Sequence, residues 1–92
     1  MAAAVVQGRV VDENGVAVAA ARVTVSGLPP VHSDATGRFL LTLVSAGEHI
    51  FSAQREGFFA LANQKVRLAA GVNEVTLVLN DPRGLRDANE KL

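Results

Sequence analysis

Ser33-Asp34-Ala35-Thr36-Gly37-Arg38-Phe39-Leu40-Leu41-Thr42-Leu43 is the stretch whose reading decides the fold. It opens as a turn: an aspartate in first position can accept a hydrogen bond from the backbone two residues on, and a glycine three residues later accepts the left-handed conformation. It continues with Phe39, Leu41 and Leu43 alternating with Arg38, Leu40 and Thr42. That period of two is the mark of a strand with one buried face, not of a helix. Toward the amino end the same turn occurs as Asp12-Glu13-Asn14-Gly15, after a strand with Val6, Gly8 and Val10 on one face and Gln7 and Arg9 on the other. Between the two turns, Ala21, Val23 and Val25 alternate with Arg22, Thr24 and Ser26, and Gly27-Leu28-Pro29-Pro30 ends that strand. Residues 31–33 suit only a short edge strand. Toward the carboxyl end, Ser45-Ala46-Gly47 turns the chain into a strand with His49, Phe51 and Ala53 on one face. Glu56-Gly57 closes it, and Phe58-Phe59 should drop at least one ring into the core. Lys65–Leu68 and Val75–Leu79 follow as strands, joined by Ala69-Ala70-Gly71. The pattern predicts an all-β, seven-stranded Greek-key sandwich over residues 1–80, with one short edge strand. Residues 81–92, mostly charged or polar after Asp81-Pro82-Arg83-Gly84, read as a linker or a frayed helical end.

Composition narrows the function classes. Nine basic residues balance nine acidic ones among 92, and neither tyrosine nor tryptophan occurs. A nucleic-acid binder needs a basic excess and commonly stacking aromatics, so that class is excluded. The absence of cysteine removes disulfides, thiol catalysis and cysteine-ligated zinc. No segment is apolar for long enough to insert into a membrane as a helix. Met1-Ala2-Ala3-Ala4 lacks the basic start and apolar run of a signal peptide.

The order of these elements resembles the carboxypeptidase regulatory-like domain, one of the transthyretin-like (prealbumin-like) β-sandwiches. The matching stretches are Gly8–Gly15, Ala21–Val25, Ser33–Phe39, Ala46–Phe51 and Glu56–Phe58, over residues 5 to 80. Two departures are Ala17, where the family often has proline, and His49, where it often has tyrosine. The resemblance implies an Ig-like or prealbumin-like sandwich with no active site and no cofactor. It further implies a spacer or docking module of an exported or cell-envelope bacterial protein, periplasmic, outer-membrane-associated or extracellular, whose partners are neighbouring domains or another envelope protein. A regulatory or folding-assisting domain of a metallocarboxypeptidase and an amino-terminal extension of a TonB-dependent receptor are the alternatives. The hydroxyisourate hydrolases of the wider group end in a tyrosine-containing motif, which a chain without tyrosine lacks.

His32-Ser33-Asp34 has the residue types of a hydrolytic triad, but neighbours on an extended strand point to opposite faces and cannot form the relay. A metal site would need His32, His49 and carboxylates to converge, and no ligand spacing supports that. Residues 12–14 are the candidate for a weak cation site, although they supply only part of the six to eight oxygens calcium takes. No lysine precedes Lys65, which argues against an isopeptide cross-link from the first strand. No catalytic, cofactor or metal residue is therefore expected. Leu40, Ile50 and Val78 fall on outward faces by alternation and would mark a docking patch if they cluster. Arg9, Arg22, Arg38 and Arg67 also point outward, as solvating charges. Asp12, Gly15, Asp34, Gly37, Gly47 and Gly57 are expected to shape turns, and exposed edge strands offer a second route to partners.

Overall fold

A computed structural model describes residues 3–82; the expected tail lies outside the described residues from position 83 on, as does the side chain of Leu43. The chain forms β1 (Ala3–Val11), β2 (Arg22–Val25), β3 (Val31–His32), β4 (Arg38–Ser45), β5 (Gly47–Gln54), β6 (Leu61–Leu68) and β7 (Gly71–Val78). They make a sandwich of a three-stranded sheet, ordered β4-β1-β7, and a four-stranded sheet, ordered β3-β2-β5-β6. The chain changes sheet between β1 and β2, on both sides of β4, and between β6 and β7, which gives the Greek-key crossovers. The two-residue β3 is the short edge strand expected from residues 31–33.

Alternation decides which side chains fill the space between the sheets. On β1, Ala4, Val6, Gly8 and Val10 are buried while Gln7 and Arg9 are exposed. Phe51, Leu77, Leu79, Val6, Val10, Val23 and Val44 are the largest fully buried side chains. Each of the larger ones contributes about 1.5–3 kcal/mol of burial free energy. Gly8 lies opposite Phe39 on β4, and a Cβ at Gly8 would overlap the Phe39 ring. The glycine of β1 is thus the seat for the aromatic ring of β4.

The pairing of β1 with β7 is parallel, in register from Ala4 with Gly71 to Val11 with Val78. Side-chain alternation is the same in parallel and antiparallel strands, so no local pattern announced this. The corner that brings the chain from β6 to β7 is closed by Asn73. Its Oδ1 accepts from Ala69 N at 2.9 Å and its Nδ2 donates to Ala69 O at 2.8 Å.

Strand β6 begins at Leu61, four residues before the alternation of Lys65–Leu68. In its first half only Leu61 packs against the core and residues 62–64 are exposed, so it shows no period of two. Asn63 sits at φ 57°, next to the irregularity in the β5–β6 pairing between Phe51 and Ala53. Phe58 packs against the core, whereas Phe59 is 53% exposed. His49 is half-buried, and its Nε2 donates to Ser45 O at 2.7 Å, which fixes the tautomer.

Candidate docking face

The two Asp-x-x-Gly segments close as the sequence suggested. Asp12 Oδ1 accepts from Asn14 N at 2.8 Å and Val16 N at 2.9 Å. Asp34 Oδ1 accepts from Thr36 N at 2.8 Å, Arg38 N at 3.0 Å and the Thr36 hydroxyl at 2.7 Å. The Thr36 hydroxyl, reinforced by the backbone N–H groups of Arg38 and Thr36, holds the Asp34 carboxyl below its ordinary range. Gly15, Gly37, Gly47 and Gly57 all take positive φ.

Ser33 has a structural role. Its hydroxyl is buried, donates to Val18 O at 2.7 Å and accepts from Ala21 N at 2.9 Å. Together with the Ser33 N–Ala21 O and Ala20 N–Ser33 O bonds, it clamps residues 18–21, where Ala20 takes φ 58°. The neighbouring His32 is exposed and paired across strands with Arg22. Neither it nor Asp34 engages the serine hydroxyl. Sequence reading placed Ser33 in a short edge strand entering a turn and set it aside as a nucleophile. The signal that it is a clamp, its meeting with residues 18–21, exists only in three dimensions.

Glu13 Oε2 accepts from Asp81 N at 2.9 Å, and Asp12 is engaged by its own turn, so residues 12–14 do not converge on a common point. Among the described residues no three His, Asp or Glu side chains come together as metal ligands. His32 lies on the edge strand β3 and His49 on β5 beside Val66 of β6.

The patch of Leu40, Ile50 and Val78 does not exist as one surface. Leu40 and Val78 lie on the outer face of the three-stranded sheet, and Ile50 lies on β5 in the other sheet. Equal alternation on two strands does not say whether they belong to the same sheet. Leu40 is opposite Gln7 and Val78 is opposite Val11, so even these two stand about 13 Å apart along the strands.

The two outer faces differ in kind. On the four-stranded sheet, Glu48 stands opposite Arg67 in register, and Ile50, opposite Lys65, is half-buried. On the three-stranded sheet, Leu40, Val72 and Val78 are 58%, 66% and 41% exposed. Between them, Arg9 faces Arg38 directly. Val10 N donates to Gly37 O, so the Arg9–Arg38 position is, by alternation, a non-hydrogen-bonded pair. In such a pair the Cα atoms approach to about 4.5 Å and the side chains stand closest. Among the described residues neither guanidinium makes a hydrogen bond or ion pair; Arg38 acts on Asp34 only through space. A depression of about 600 Å³ opens over this row, walled by Gln7, Arg9, Arg38, Leu40, Glu74 and Thr76.

The edges also differ. Strand β6 carries the left-handed Asn63 together with Lys65 and Arg67, and Phe59 N donates to Asn80 O just past the end of β7. Strand β4 is an edge of the three-stranded sheet. Asp34 satisfies the backbone of Arg38 at its start, and neither proline nor lysine occurs along its eight residues.

A search of curated proteins returns no match. Among solved structures, 3-chlorocatechol 1,2-dioxygenase of Rhodococcus opacus 1CP superposes with a TM-score of 0.68 at 12% identity, covering 87% of this chain. The major pilin subunit of Bacillus cereus superposes with a TM-score of 0.69 at 13% identity, covering 84% of this chain. The chain spans 60% and 28% of the lengths of those two proteins, and at such identities the likeness speaks for the fold alone. The family model of the carboxypeptidase regulatory-like domain matches residues 5–80, the whole sandwich with its turns at 12–15 and 34–37. The chain belongs to the carboxypeptidase regulatory-like domain family.

Proposed function

We propose that this chain is a non-catalytic interaction module that docks through the outer face of the three-stranded sheet. The observation that carries the reading is the contrast between the two outer faces. One half-covers its apolar group, Ile50; the other exposes Leu40, Val72 and Val78. Supporting it, the residues with hydrolytic potential are occupied: Ser33 clamps backbone and Asp34 closes its own turn. Membership in a regulatory-like domain family agrees with a module that works through a neighbour. The parent is read as an exported bacterial envelope protein and the partner as one of its neighbouring domains.

Hydrogen exchange on this chain, alone and joined to its flanking domains, tests the reading. Added protection should fall on β4, β1 and β7. Added protection confined to β2, β5 and β6 would overturn it, as would hydrolysis of a peptide or ester that disappears in Ser33→Ala.

A further inference from the structure

We infer that the free edge of β7 is a self-association site, where a second copy of this chain adds its own β7 antiparallel about a two-fold axis at Val75. The inference goes beyond the docking reading, because it uses a strand edge and leaves the outer face of the sheet open.

Hydrogen bonding along β7 defines the site. Leu79 N donates to Val11 O, and the register with β1 runs unbroken from Ala4 opposite Gly71 to Val11 opposite Val78. In a parallel ladder every second residue turns its N–H and C=O toward a given neighbour. Asn73, Val75 and Leu77 therefore bond β1, and Val72, Glu74, Thr76 and Val78 turn theirs to the other side. No strand pairs with β7 on that side among the described residues. The open run has fixed ends. Beyond Val78, the C=O of Asn80 already accepts from Phe59 N at 2.9 Å. Before Val72, Gly71 takes φ 92° at the corner that Asn73 closes.

The other edges carry the devices that blunt strand addition. Strand β3 has two residues, and β6 bears the left-handed Asn63 with Lys65 and Arg67. On β4 the Asp34 turn takes up the N–H and C=O of Arg38, and the pairing register breaks between Ala4 and Val6. Strand β7 has no register break, proline, lysine or arginine along its eight residues. A long, regular edge of this kind is a template for another strand.

The residues of the edge select the occupant. Val75 is the midpoint of the open run, so a two-fold axis there pairs the whole run with itself. Val72 then stands opposite the partner's Val78, and Glu74 opposite the partner's Thr76. Every outward N–H and C=O finds a complement, and the two exposed valines cover each other. An axis at Glu74 would set that carboxylate against the partner's Glu74, a like-charge pair. An axis at Thr76 would set Val72 against the partner's Asn80, whose C=O is already engaged. Two-fold pairing closes at two copies, and the blunted β4 edges at both ends of the joined sheet stop further growth.

The test is sedimentation velocity of the intact chain from about 10 μM to about 1 mM, with hydrogen exchange at both concentrations. One strand pair is smaller than a standard interface, so a dissociation constant of roughly 0.1 mM is expected. The mass should rise toward two chains and stop there. The amides of Val72, Glu74, Thr76 and Val78 should gain protection as concentration rises. Thr76→Lys, facing the partner's Glu74, should tighten association by about fivefold, and Thr76→Glu should loosen it by about as much. Thr76→Pro removes an outward N–H that β1 does not use and should abolish association. If that variant fails to fold, the lysine and glutamate variants still decide. A monomer at the highest concentration would overturn the inference, as would growth beyond two chains. So would protection of those four amides that ignores concentration, or a Thr76→Lys effect of the opposite sign. If the chain stays monomeric while flanking domains still protect β4, β1 and β7, self-association falls and the docking reading stands.

Discussion

The segments Asp12–Gly15 and Asp34–Gly37 are one turn built twice, and they differ most in what surrounds them. In each, the aspartate carboxylate accepts from the residues two and four positions on. In each, the glycine N–H donates to the aspartate carbonyl, at 3.0 Å in the first and 2.9 Å in the second. The φ values of the two glycines, 81° and 78°, are nearly the same. Yet Gly15 has open space where a Cβ would stand, whereas a Cβ on Gly37 would come within 2.7 Å of Val10 O. The second turn is inserted beneath β1: Gly37 O accepts from Val10 N, and Ala17 and Val18 close over it. Local sequence makes a turn possible. Its contacts decide whether the fold depends on it.

The largest expected effect separates the glycines. Gly15→Ala should cost about 1–2 kcal/mol, the penalty of a side chain in left-handed backbone. Gly37→Ala adds an overlap with backbone that cannot swing away, about 1–3 kcal/mol more. Urea midpoints of the two variants measure the difference, and equal midpoints would erase the distinction drawn between the turns.

Ser33→Ala comes next, because the residue before the second turn ties it to residues 18–21. Removing the hydroxyl leaves Ala21 N and Val18 O without that partner in the interior, a loss of about 1–3 kcal/mol. Ser33→Thr keeps the hydroxyl and separates this loss from any effect of added bulk. The first turn is tied to a distant segment only at the surface, where Glu13 Oε2 accepts from Asp81 N among the described residues.

The smallest effect is electrostatic. Asp34 has a lowered folded-state pKa, so its charged form is favoured by folding. Its contribution is therefore present above the unfolded value of about 3.9 and lost as pH falls through the lower folded value. Thr36→Ala removes the first cause of the shift and should move the Asp34 titration, followed by carboxyl-carbon NMR, upward toward the ordinary range. Thr36→Ser should leave it low. Asn14, at the matching position of the first turn, has no hydroxyl to offer Asp12.

Much of the fold was legible because the evidence for it is local. Phe39 and Leu41 announce their burial by alternating with Arg38 and Leu40, and the turns announce themselves by aspartate and glycine three residues apart. Strand β6 was half missed because only Leu61 of residues 61–64 packs against the core, which leaves no alternation to show. The conditional patch of Leu40, Ile50 and Val78 fails to form for a related reason. Alternation points Leu40, Ile50 and Val78 outward, but pointing outward does not identify a sheet. The Arg9–Arg38 pair went unnoticed because two residues 29 positions apart become neighbours only through the β1–β4 register.

By itself, then, the sequence determined the strands, their buried faces, the turns between them and the family. These are properties of single segments, set by a side-chain period of two and by the backbone freedom of glycine. Tertiary structure alone decided the parallel pairing of β1 with β7, the clamp made by Ser33, the unequal standing of Gly15 and Gly37, and the meeting of two arginines on one face. Each of these is a relation between distant segments, written in the inter-strand hydrogen bonds that set register and not in either segment alone.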